Sequence, residues 1–89
     1  MTIAPLTGGF QDASRDSAVA FRCVLEAMSH PGRIVRIAGA TPPFPLSVAA
    51  GTVLLTLADR TTPVHLAASH DAEAARDWIA FHTGAPQAA

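Results

Sequence analysis

Four histidines, one cysteine and six arginines are the side chains of this 89-residue chain with the most chemistry in them. A zinc site on a helix needs two histidines at i, i+4, and a finger needs cysteine or histidine pairs at short spacing. His30, His65, His70 and His82 show neither arrangement, so no metal ligand set is expected. A catalytic thiol needs a base and an electropositive, partly exposed setting. Cys23 falls in the middle of an expected helix at the border of its apolar stripe, which reads as a packed thiol. The chain has no lysine, so it cannot form the Schiff base of pyridoxal phosphate chemistry. Gly8-Gly9 lacks the flanking strand and helix of a phosphate loop, and no carboxylate pair is placed by spacing for acid–base work. Arg22, next to Phe21, offers a guanidinium fork to an anion or a partner carboxylate; a solvated helix-surface arginine is the plainer reading.

The charge balance narrows the partners. Net charge is −1 and the pI is near 6.4, so no basic face is available for nucleic acid or an anionic membrane. A single cysteine allows no intramolecular disulfide. The N-terminus has no basic segment followed by an apolar run, and the longest apolar stretch, Val48 to Ala58, is too short to span a bilayer. A cytoplasmic, soluble chain is the expectation. Yet 49% of the residues are apolar and the mean hydropathy is +0.29. A chain this short hides only about 60–65% of its unfolded surface, so part of that apolar content is expected outside, as a patch for a partner.

The elements that must position these residues follow from periodicity. A first helix is predicted from Asp12 or Ser14 to Ser29, with Ala18, Phe21, Leu25 and Met28 as its apolar stripe and Val24 beside it. His30-Pro31-Gly32 ends it. Arg33 to Ala38 reads as a strand, and the loop from Gly39 to Pro45 holds prolines at 42, 43 and 45. A second helix, about Leu46 to Ala58 with Ser47 as its cap, is apolar nearly all round and so demands burial on most faces; Gly51 would admit another backbone. Asp59 to Thr62 is a turn and Pro63 to Ala67 a second strand. A third helix opens at Ser69-His70-Asp71, with Asp71 as cap, and runs to Thr83. Ala75, Trp78, Ile79 and His82 form its stripe, and Gly84 and Pro86 stop it.

The expected order is therefore α-β-α-β-α, an α/β half-domain with two parallel strands joined by a right-handed crossover. Residues 1–11 are expected to be a flexible arm, 12–86 the partial domain and 87–89 a tail. Two strands alone make no stable sheet, so the sequence reads as half of something larger.

Three stretches carry a family resemblance. Asp16 to Gly32, with its Phe-Arg, Ala-Met-Ser and Pro-Gly elements, resembles the opening helix of the PhnH family. Val53 to Asp59 followed by Thr62-Pro63-Val64 is similar to the second signature of that family, and Phe81-His82-Thr83 followed by Ala85-Pro86 to the third. The resemblance implies a subunit of the carbon–phosphorus lyase core complex, beside PhnG, PhnI and PhnJ, in bacterial phosphonate catabolism. It implies a synthase step that joins a phosphonate to the ribose carbon of ATP and displaces adenine. It further implies an α/β fold resembling pyridoxal phosphate-dependent transferases without the cofactor, and no catalytic residue is carried over. Family members continue for about as many residues again, so an open sheet edge and an apolar helix face are expected here, favouring a homodimer. Arg22, Asp59, Thr62, His82 and Thr83 are the interface or binding candidates taken from the family motifs. The alternatives are turn-shaping for Asp59 and Thr62 and helix capping for His82. Two other functions stand beside this one: a small self-associating module with no phosphonate role, and an independent enzyme using Cys23 or a histidine.

Overall fold

The computed structural model describes residues 7–88. Three helices carry the fold: α1 (Ala13–Ser29), α2 (Val48–Leu57) and α3 (Glu73–Thr83), with a 3-10 turn at Ala68–His70 before α3. α2 packs against both α1 and α3.

Each helix starts and stops for local reasons. Asp12 caps α1: its Oδ1 accepts the Arg15 N–H at 3.2 Å, while Asp16 Oδ2 accepts the Asp12 N–H at 3.2 Å. This reciprocal pair satisfies donors that a helix start otherwise leaves open. Ser47 caps α2 by accepting the Ala50 N–H at 3.0 Å, as the sequence predicts. α3 differs from expectation at its start. Ala72 occupies the cap position without a side-chain bond, because the Asp71 carboxylate is drawn to the Arg76 guanidinium five residues on. Gly84 ends α3 in the left-handed region at φ 71°, as expected.

The α/β expectation is overturned: no sheet forms among the described residues. Residues 34–38 form no strand and make no backbone–backbone hydrogen bond among the described residues, and Ile34 is 98% exposed. Ile34, Val35 and Ile37 favour an extended backbone, but a strand exists only when a neighbour completes its ladder. In the second expected strand only Val64 pairs among the described residues, through a parallel bridge to Gln87. Its N–H donates to the Pro86 carbonyl at 2.9 Å and its carbonyl accepts the Ala88 N–H at 2.8 Å. The expected strands therefore do not pair with each other, and neither the crossover unit nor a transferase-like sheet is present among the described residues.

The core gathers around α3. Ala75, Trp78 and Ile79 are buried, together with Ala40, Leu46 and Ala85. The expected α3 stripe thus faces inward. The expected α1 stripe does not: Phe21, Leu25 and Met28 are exposed, at 44%, 51% and 75%. The inward face of α1 is instead Ala20, Cys23, Val24 and Ala27, about 100° round the helix. Ala20, Cys23 and Ala27 are small and allow a close approach to α2, whereas periodicity alone weights the larger side chains. α2 also comes close to the preceding loop, since a Cβ on Gly51 would meet the Pro42 ring at 2.5 Å. The close neighbour that Gly51 admits is thus a proline ring.

Of the N-terminal residues, 1–6 lie outside the described ones, as does Ala89. Thr7 to Phe10 are engaged. Trp78 Nε1 donates to the Thr7 carbonyl and the Thr41 N–H to the Gly8 carbonyl, both at 2.8 Å.

Candidate functional surface

The five candidates separate into two places. Asp59, Thr62, His82 and Thr83 lie at and beside the end of α3, while Arg22 stands apart on α1. The turn at 59–62 reaches α3 through Arg60, whose Cγ lies 2.8 Å from where a Cβ on Gly84 would be.

Asp59 and Thr62 hold that turn closed. Asp59 Oδ1 accepts the Thr61 N–H at 2.8 Å, the Thr61 hydroxyl at 2.6 Å and the Thr62 hydroxyl at 3.2 Å. The Asp59 N–H in turn donates to Thr62 Oγ1 at 3.2 Å, and the Thr62 N–H to the Asp59 carbonyl at 3.0 Å. The Thr61 hydroxyl above all, then the Thr61 N–H and the Thr62 hydroxyl, hold the Asp59 carboxyl below its ordinary 3.8. A carboxylate so engaged is a poor general base, and the turn is its main occupation.

Thr83 closes the end of α3. Its hydroxyl donates to the Ile79 carbonyl at 2.7 Å and accepts the Ala85 N–H at 3.0 Å, so it leads the chain out of the helix. His82 sits between rings, 5.0 Å from the centroids of both Trp78 and Phe81. A Cβ on Gly9 would meet its ring at 2.7 Å, so the N-terminal segment crosses over it closely. His82 therefore ties the start of the chain to α3.

Arg22 is exposed and makes no hydrogen bond or ion pair among the described residues. On the helix it flanks the exposed stripe of Phe21, Leu25 and Met28. A free guanidinium beside apolar area is the composition of an interface rim, where an arginine can meet a carboxylate.

Cys23 is half-buried on the face of α1 turned toward α2. Among the described residues no group of three or more histidine, cysteine or acidic side chains converges on a metal position. No helix of the described chain is long and apolar enough to cross a membrane.

The residue reading missed an open groove of about 510 Å³ between α2 and residues 64–70. Leu46, Ala49, Val53 and Leu54 form one wall, and Val64 and Leu66 belong to the other. The signal was present: α2 carries no charged residue, and one face of it has no cover in the described chain. His65 and His70 add the polar groups at the groove, with His65 Nδ1 3.3 Å from the Ala88 carbonyl and His70 Nδ1 2.8 Å from Ser69 Oγ.

Comparison with known proteins agrees with the three sequence signatures. A family model described as bacterial phosphonate metabolism protein (PhnH) matches residues 8–89. A protein of Rhizobium meliloti (strain 1021), named alpha-D-ribose 1-methylphosphonate 5-triphosphate synthase subunit PhnH, is 42% identical over 80 residues. That match covers 89% of this chain and 40% of the relative. The chain thus spans well under half the length of that relative, while the family match runs through all three helices: it belongs to the PhnH family of bacterial phosphonate metabolism proteins.

Proposed function

We propose that this chain acts as a non-catalytic, protein-binding subunit of the carbon–phosphorus lyase system. Its partners are PhnG, PhnI and PhnJ, in the cytoplasm, and the assembly is a transferase that makes a ribose 1-phosphonate 5-triphosphate. The observation that carries this reading is the family match over residues 8–89, joined to a relative that is itself named as a synthase subunit. The surface agrees in kind. Phe21, Leu25 and Met28 stand out from α1 at i, i+4 and i+7, the spacing with which a helix anchors in a partner's groove. Arg22 beside them supplies direction, because a guanidinium selects a carboxylate geometry where apolar area alone selects nothing. In this reading Asp59, Thr62, His82 and Thr83 keep a second surface in shape at the end of α3. A homodimer through the α1 stripe is part of the same proposal.

The test is co-purification of the chain with PhnG, PhnI and PhnJ of the Rhizobium system, with the mass of the complex read by light scattering. Stable incorporation is expected, weakened by Arg22→Glu. A folded chain that elutes without them contradicts the subunit role and favours the self-associating module.

A further inference from the structure

We draw no further inference here: the strongest candidate, the apolar groove between α2 and residues 64–70, is an unpartnered face, and nothing in the structure shows what covers it.

Discussion

α1 and α3 are built from similar proportions of apolar residues and meet opposite fates. At α3 Trp78 and Ile79 point inward, and only Phe81 of its large apolar side chains is exposed. Trp78 is fully buried, its indole N–H is satisfied by Thr7, and the chain leaves the helix through Thr83 and Gly84. On α1 the large side chains point outward and the buried contact is left to Ala20 and its small neighbours. α2 lies between these cases, with Gly51 and Thr52 inside and Ala49 and Val53 at an open groove. One side of the molecule thus buries most of its large side chains, and the other is capped locally while its large side chains stay exposed. Capping and turn chemistry act over a few residues, whereas burial requires a second layer to pack against.

Substitutions at the two sides should diverge. The largest effect is expected for Trp78→Ala, which empties the centre of the closed side; about 3–5 kcal/mol is lost, enough to unfold a domain of this size. Circular dichroism at 25 °C should then show little helix. Thr52→Val comes next. The Thr52 hydroxyl donates to the Val48 carbonyl at 2.7 Å and accepts the Ala40 N–H at 3.1 Å while fully buried. Valine keeps the shape and strands that N–H, at a cost of about 1–3 kcal/mol in a denaturant titration.

A smaller effect follows pH. The folded carboxyl of Asp59 titrates below its ordinary value, so its contribution is present above about pH 4 and lost as pH falls through the lower folded value. Thermal melts should show the wild type losing slightly more stability than Asp59→Asn as pH falls from about 5 to 2. The smallest effect on stability is expected on the open side. Leu25→Ser should change the melting of this chain by no more than about 0.5 kcal/mol, yet weaken incorporation into the PhnG, PhnI and PhnJ assembly. A large loss of stability at Leu25 would erase the contrast between the two sides.

The sequence disclosed local structure well and pairing badly. Asp12, Ser47 and Gly84 are legible because each acts within four residues of itself. Ile34 to Ala38 shows the limit: the side chains select an extended backbone, but no residue in the segment encodes whether a neighbour is available. The α1 stripe fails for a related reason. Two apolar faces lie side by side on that helix, and which one turns inward depends on how closely α2 approaches. Asp71 reads as a cap until Arg76, one turn along, competes for the same carboxylate. Of the candidate surface, the turn role of Asp59 and Thr62 was an open alternative in the sequence, whereas the helix-end role was read onto His82 and is taken by Thr83. The uncharged α2 signalled an apolar face, but the groove itself was hidden because it depends on the distance between two segments.

Amide hydrogen exchange on the chain alone, resolved by residue, tests the contrast between the two sides most directly. Slow exchange concentrated in α3 from Trp78 to Thr83, with Phe21 to Met28 of α1 exchanging at least about 10-fold faster, is the predicted result. Equal protection along α1 and α3 would mean that the apolar stripe of α1 is already covered, and would contradict an open side awaiting its partner.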